Sequence, residues 1–250
     1  MLNPISALLN LQQLQNIIKD NPQHFNATLP LFLKVLEKKG DNKYLLQLGN
    51  QILETKSAKP LIIGQKYWAL MQKSSVGAIM LSNLIPQPKI MEQLKNAPLK
   101  LELQQLNQIL KQEDFKGYHE QLVTHLTHAQ SRQDFWLLGN LLLSLQHQVA
   151  SFVIKDKHQE ALIQIKNKKG KQKQLDFYAL YPHLGALQGH VLWQEPHLSL
   201  HIVVLYENTA RLLEQYKNTL KGFDAVYISA SPHTIEPLFG FEESLLDTRG

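Results

Sequence analysis

The chain has 250 residues, 44% of them hydrophobic, which is enough for one large domain or two modest ones with buried cores. It contains no cysteine, which excludes disulfides, thiolate metal sites and thiol nucleophiles. Lysine and arginine total 26 against 21 acidic residues, and the formal charge of +5 tolerates a polyanionic partner without requiring one.

The beginning of the sequence gives no targeting signal. Its first residues, MLNPISALLNLQQLQNIIKD, lack a basic stretch followed by an apolar core and a small-residue cleavage site. No apolar run approaches the ~20 residues needed to cross a bilayer. We therefore expect a cytoplasmic protein with no membrane segment.

The first half of the chain carries patterns typical of short helices. Leucine and isoleucine follow Ser6, a good N-cap, at helical spacing, and Pro30 and Gly40 bracket a second apolar stretch. Similar apolar spacing recurs in four later segments: 45–53, 61–71, 99–110 and 115–128. We predict an all-helical domain over residues 1–115, followed by a second domain over residues 116–250.

A lysine-rich turn in the second half is the clearest concentration of charge. Residues 160–166 and 174–180 are rich in β-formers, which indicates two strands joined by a hairpin or a longer loop. The lysines at this turn are Lys166, Lys168, Lys169, Lys171 and Lys173. The turn is either a solvated loop or a contact for nucleic-acid phosphates.

Residues 198–229 have the pattern of a β-α-β unit. A strand-like segment, 198–206, is followed by helical spacing over 209–220 and by a second strand-like segment, 223–229. Such a unit usually belongs to a parallel sheet, whose ligands bind beyond the carboxyl ends of the strands.

Two groups of histidines are candidate sites. His119, His125 and His128 share a predicted helix but lack the HExxH spacing of zinc ligands, so we expect no metal site. On the strand PHLSLH, side chains two residues apart point the same way. That face, with His197 and His201, either resembles one motif of the two-histidine phosphoesterases or simply faces solvent.

The order of segments from 122 to 240 resembles the methyltransferase domain of the bifunctional tRNA methylaminomethyl-thiouridine biosynthesis protein. FWLLGNLLLSLQHQ resembles the run after that family's first strand, and FDAVYISASPHTIEPLF resembles its D-A-x-F-L-D-G-F-x-P signature. The resemblance implies an α/β fold with a Rossmann-like domain that binds S-adenosylmethionine and acts on tRNA, its phosphates meeting the lysine turn. The chain ends before the closing strands of that fold, so a reduced or incomplete domain is expected.

The resemblance also implies which residues bind the cofactor. They are Gly139, Asn140, Glu207, Ser229 and Pro232. Gly139 and Asn140 stand in place of a glycine-rich turn, and Ser229 stands in place of the catalytic-loop aspartate. These departures imply a degenerate cofactor site and leave the catalytic residues unidentified.

Two functions are consistent with this pattern. The first is an S-adenosylmethionine-dependent, methyltransferase-like protein acting on tRNA. The second is a non-catalytic scaffold or adaptor whose helical domain binds a protein partner through an apolar groove.

Overall fold

The computed structural model describes residues 30–57, 59–73, 79–112, 115–156, 159–168, 173–231 and 233–241. Within these ranges the chain forms twelve strands, five α-helices and one short 3₁₀ helix, and the strands make two sheets. The helix predicted after Ser6 lies outside the described residues.

The first sheet has five antiparallel strands in the order β3-β2-β1-β4-β5. Their bounds are β1 Leu31–Gly40, β2 Lys43–Leu48, β3 Gln51–Lys56, β4 Lys66–Lys73 and β5 Ile79–Pro86. Two-residue turns join β1 to β2 and β2 to β3. Asn42 and Gly49 in these turns have φ angles of 65° and 58°, left-handed conformations that asparagine and glycine tolerate best.

The all-helical domain predicted for the first half of the chain is wrong where the structure describes it. Segments 31–40, 45–53 and 61–71 contribute mainly to β1 through β4. In β1, Leu33 and Val35 are buried while the residue between them is exposed, which is the two-residue period of a strand. The apolar residues of these segments fit the helical period as well, and the tight turns between them decide the outcome.

Four helices follow the first sheet in the sequence. They are α1 Ile90–Leu94, α2 Leu103–Gln112, α3 Phe115–Thr127 and α4 Arg132–Gln146. The helical prediction for 115–128 is confirmed by α3, and that for 99–110 is confirmed by α2 from residue 103 onward. Ser131 caps α4, because its side chain accepts a hydrogen bond from the backbone N–H of Asp134.

The second sheet has seven strands in the order β12-β11-β10-β9-β8-β7-β6. Their bounds are β6 Leu101–Glu102, β7 Ala150–Asp156, β8 Gln159–Lys168, β9 Lys173–Tyr181, β10 Gly185–Gln194, β11 His197–Val204 and β12 Ala225–Ala230. Strands β7 to β11 form an antiparallel meander, whereas β6 pairs parallel with β7 and β12 pairs parallel with β11. Helix α5, Glu207–Tyr216, and the 3₁₀ helix Lys217–Thr219 connect β11 to β12.

This topology confirms two local predictions and overturns the predicted fold. Strands β8 and β9 flank the lysine turn, and β11, α5 and β12 form the predicted β-α-β unit. The α/β fold with a Rossmann-like domain over 116–250 is wrong, because that fold needs a mostly parallel sheet built from helical crossovers. Here five consecutive strands are antiparallel neighbours, and the described parts of the connections between them contain no helix.

Strand β4 contributes to two hydrophobic cores. Tyr67 and Ala69 face a small core within the first sheet, and Trp68 and Leu70 belong to the large core that covers the second sheet. A strand buried on both faces produces a continuous apolar run rather than an alternating one.

Specific hydrogen bonds join the two sheets. Trp68 Nε1 donates to the backbone oxygen of Pro182 at 2.9 Å, in the turn between β9 and β10. The hydroxyl of Tyr206, just after β11, donates to the backbone oxygen of Asn83 in β5 at 3.1 Å. The sheets are thereby held in one orientation on either side of a groove.

Candidate binding groove

A cavity of about 700 Å³ lies where the first sheet, α1, α4 and the second sheet meet. Trp68 of β4, Trp136 of α4 and Tyr178 of β9 line it, and residues 234–241 close one side. Its volume lies within the usual 300–1,000 Å³ range of ligand pockets, and aromatic side chains are typical of such pockets.

A neighbouring cavity of about 970 Å³ extends along the first sheet. The two cavities share the lining residues Ile85, Pro86, Leu205 and Thr234. The two cavities are therefore adjacent, and we call them together the inter-sheet groove, with an aromatic part and a part along the first sheet.

Two glutamines in the aromatic part carry buried polar atoms without partners. Gln87 is 7% exposed, and its Nε2 finds no acceptor among the described residues. The Oε1 atom of Gln93 is likewise buried without a donor in this part of the chain. Both residues line the cavity. Because an unsatisfied buried amide costs roughly 1–3 kcal/mol, the pair favours a ligand that offers one acceptor and one donor.

The backbone of Gln87 is held in place where it lines the groove. Pro88 restricts the residue before it, Gln87, to extended conformations, and Pro86 has a fixed φ angle of its own. Its N–H donates to the backbone oxygen of Lys66 at 2.8 Å, and its own carbonyl accepts from Gln65 Nε2 at 2.8 Å. With both backbone groups bonded, the side-chain amide is the part of Gln87 that remains for a ligand.

Gln164 of β8 holds the segment that closes the groove. Its side chain is fully buried, with Nε2 donating to the backbone oxygen of Phe239 at 2.8 Å and Oε1 accepting from the Phe239 N–H at 3.2 Å. The rings of Trp136 and Phe241 meet edge to face with centroids 5.9 Å apart. A glutamine amide thus binds the main chain of Phe239, which lines this side of the groove.

Positive charge predominates around the groove. Its cationic lining side chains are Lys56, Lys59, Lys89 and Arg132. Glu236 is the carboxylate among the described lining residues. Burial, and after it the charge of Glu236, raises the pKa of Tyr178 well above its ordinary value, so the phenol stays protonated at physiological pH.

The structure separates the residues to which the resemblance assigns the cofactor. Glu207 and Ser229 are exposed near the carboxyl ends of the parallel strands β11 and β12. Gly139 and Asn140 lie in α4, which packs against β7, and Asn140 is fully buried. Strands β7 and β12 are five strand spacings apart, about 24 Å. Pro232 lies outside the described residues.

The described lysines of the turn make contacts within the chain. Lys168 lies 3.5 Å from the carboxylate of Asp176, and the ammonium of Lys173 lies 4.6 Å from the ring centroid of Trp193. Lys166 is half-buried on β8. The other two, Lys169 and Lys171, lie outside the described residues. Nucleic-acid contact at this turn stays a prediction.

The open face of the second sheet carries a row of rings that the sequence did not reveal. His190 of β10 and His201 of β11 stack at 4.5 Å with planes 17° apart, and Tyr227 of β12 lies 4.5 Å beyond His201. His197 and Ser199 share this face, and all five residues are at least partly exposed, so the solvent-facing interpretation of PHLSLH is confirmed. The two-residue spacing predicted the shared face, whereas the neighbours of His201 depend on strand register.

His190 is expected to make the folded state sensitive to acid. Partial burial first, and the neighbouring His201 second, lower the pKa of His190 below its ordinary 6.5, although Asp176 opposes the shift. The unfolded chain then binds the proton more readily, so stability is full above pH 6.5 and falls as pH drops through the folded pKa. In an NMR titration, the His190 midpoint should lie below 6.5, and His190→Gln should lose less stability than the parent between pH 7.5 and 5. A midpoint above 6.5 would contradict the assignment.

Comparison with known proteins does not identify a function for this chain. No protein-family model, curated protein or solved structure matches this chain. None of the helices that the structure describes has the length and apolar character to span a bilayer. Across the same residues, no group of three or more histidine, aspartate or glutamate side chains is placed to hold a metal ion.

Proposed function

We propose that the chain is a non-catalytic adaptor that binds a protein partner in the inter-sheet groove. The observation that supports it most is the buried amide nitrogen of Gln87, which has no acceptor among the described residues, beside a cavity lined by Trp68, Trp136 and Tyr178. A protein partner supplies both an apolar side chain for such a cavity and peptide groups for the amides. Recognition of this kind concentrates its free energy in one buried anchor surrounded by polar contacts.

The proposed partner site differs from the helical domain expected from the sequence. The residues that the structure describes between 31 and 86 form the five strands of the first sheet and their connections, and they contain no helical groove. The inter-sheet groove instead draws on both halves of the chain, from Gln65 to Phe241. A partner bound there would contact both sheets at once.

The methyltransferase hypothesis remains a prediction with less geometric support. It needs Gly139 beside Glu207 and Ser229. However, α4 packs on β7, near one edge of the second sheet, and β12 is the strand at the other edge. The best-placed pair, Glu207 and Ser229, is exposed to solvent. The adaptor hypothesis needs no rearrangement of the chain.

Two binding measurements on the folded full chain test the choice between these functions. Calorimetry with S-adenosylmethionine should give no heat. The anionic apolar dye 1-anilinonaphthalene-8-sulfonate should bind with a 1:1 ratio, because the groove combines aromatic side chains with positive charge. Saturable micromolar binding of S-adenosylmethionine would instead favour the methyltransferase.

A variant pair locates the dye. Gly240 is exposed at the groove, and an added Cβ would meet nothing within 4 Å. Gly240→Trp should therefore place a large ring in the groove and weaken dye binding about tenfold, while the matched control Gly240→Ala should bind as the parent does. Equal dye binding by all three proteins would place the dye elsewhere and remove the groove from the proposal.

A further inference from the structure

We infer that the partner enters the inter-sheet groove as an extended, acidic polypeptide segment with one large apolar side chain. This inference rests on the proposed function and specifies the chemistry of the partner. Four features of the groove support it: its length, its aromatic lining, its unpaired amide atoms and its charge.

The shape of the groove suits an extended chain. The aromatic cavity and its neighbour share Ile85, Pro86 and Leu205, so they lie side by side and one ligand of sufficient length can contact both. An extended polypeptide advances about 3.3 Å per residue and has side chains on alternate sides. One large apolar side chain can then fill the aromatic cavity while neighbouring residues follow the groove along the first sheet.

The unpaired atoms match a peptide group. Gln87 Nε2 is a donor without an acceptor and Gln93 Oε1 is an acceptor without a donor among the described residues. A peptide backbone offers one carbonyl and one N–H per residue, as those two atoms require. The same wall shows this recognition already, since the amide of Gln164 binds both the N–H and the carbonyl of Phe239.

The charge of the lining selects acidic segments. Among the described lining residues, four side chains are cationic and one, Glu236, is a carboxylate. Complementary charge raises the association rate and disfavours basic competitors. Nucleic acid is also anionic and its bases can stack on aromatic rings, so competition by single-stranded RNA is one of the outcomes that would overturn the inference.

A selected peptide provides the probe. Dodecapeptides displayed on phage are selected against the immobilised full chain, synthesised with a fluorescent label and measured by anisotropy. We expect peptides with micromolar dissociation constants that carry one aromatic or leucine residue flanked by aspartate or glutamate. Excess dye should displace them. Their binding should weaken about fivefold between 50 and 300 mM salt. Basic peptides, or binding that does not depend on salt, would overturn the acidic part of the inference.

Matched variants test the residues. Gln87→Leu should weaken peptide binding about fivefold to tenfold, because one hydrogen bond is lost, whereas Gln121→Leu on the exposed face of α3 should have no effect. Arg132→Glu should weaken peptide binding about fivefold. The matched control Lys116→Glu, on α3, should leave peptide binding unchanged. Circular dichroism establishes that each variant is folded.

An ester replacement tests the same hydrogen bonds on the unaltered protein. Converting one peptide N–H at a time to an ester oxygen removes a donor from the probe and leaves its shape nearly unchanged. One position next to the apolar residue should weaken binding to the parent about fivefold, because Gln93 Oε1 loses its donor. If no ester position matters, the groove does not bind the backbone and the inference is wrong.

Other occupants and other failures have distinct signatures. Self-association of the full chain that Gln87→Leu abolishes would identify a second copy as the occupant and overturn the inference. Peptides that bind only after Leu245 and Leu246 are replaced would identify the chain's own acidic segment 242–250 as the occupant. Competition by single-stranded RNA at low salt would identify nucleic acid as the ligand. Either result would overturn the inference. Apolar peptides that Gly240→Trp excludes but Gln87→Leu does not affect would leave the adaptor function standing and remove only this inference.

Discussion

Replacing Trp68 by alanine is expected to lower the free energy of unfolding by roughly 3–5 kcal/mol. Trp68 is 1% exposed, and it joins the first sheet to the large core. The substitution removes an indole from a packed site and also leaves the carbonyl of Pro182 without its donor. Urea unfolding at pH 7, monitored by far-ultraviolet circular dichroism, measures the loss.

Trp193 offers the matched control for this substitution. It is only partly buried, on β10, with the ammonium of Lys173 above its ring. Trp193→Ala should therefore cost less than half as much as Trp68→Ala. Equal losses at the two positions would mean that Trp68 does not hold the sheets together, and the groove between them would lose its structural basis.

Gly189→Ala is expected to cost about 3 kcal/mol through overpacking. Gly189 lies in β10, where an added Cβ would collide with the backbone carbonyl of His201 on β11 and come within 2.7 Å of the Phe177 ring on β9. The carbonyl belongs to the strand ladder, so it cannot move without breaking the pairing of β10 with β11. Thermal unfolding should show a clear fall in Tm.

Gly240→Ala is the control for this prediction as well. Nothing lies within 4 Å of a Cβ placed there, so the same change of one methyl group should shift stability by less than about 0.5 kcal/mol. A small effect at Gly189 would show that β10 and β11 have more room than the described packing allows.

The first sheet shows why the apolar periodicity of the sequence predicted helices where the structure has strands. In β1 the apolar residues from Leu31 to Leu36 match both a helical and a strand spacing. The discriminating signal was in the turns, since Asp41-Asn42 and Gly49-Asn50 are two-residue hairpin sequences. In β4 burial on both faces erased the alternation that marks an ordinary strand.

The second half was predicted better because its signals are local. The lysine turn between β8 and β9 and the change from strand to helix to strand over 198–229 depend on neighbouring residues. Strand direction, in contrast, is not determined by neighbouring residues in the sequence. The order of segments that resembled a methyltransferase is compatible with parallel or antiparallel pairing, and the short connections from β7 to β11 produce the antiparallel arrangement.

The groove could not be predicted from the sequence, because its walls come from distant segments. Gln87 lies in a short proline-bounded link, and the residues opposite it, 234–241, come about 150 positions later. In the sequence, Pro86 and Pro88 indicate only that no helix continues through this segment. In the structure they flank a glutamine that lines the cavity.

Hydrogen–deuterium exchange of the full chain, with and without a selected peptide, tests whether the partner binds in the inter-sheet groove. We expect slower exchange in residues 84–93 and 233–241, which contribute its lining, and no change in β11 or β12. The Gly240→Trp protein should show no protection. Protection confined to the open face around His201 and Tyr227 would contradict the account, because the partner would then bind the second sheet and not the groove.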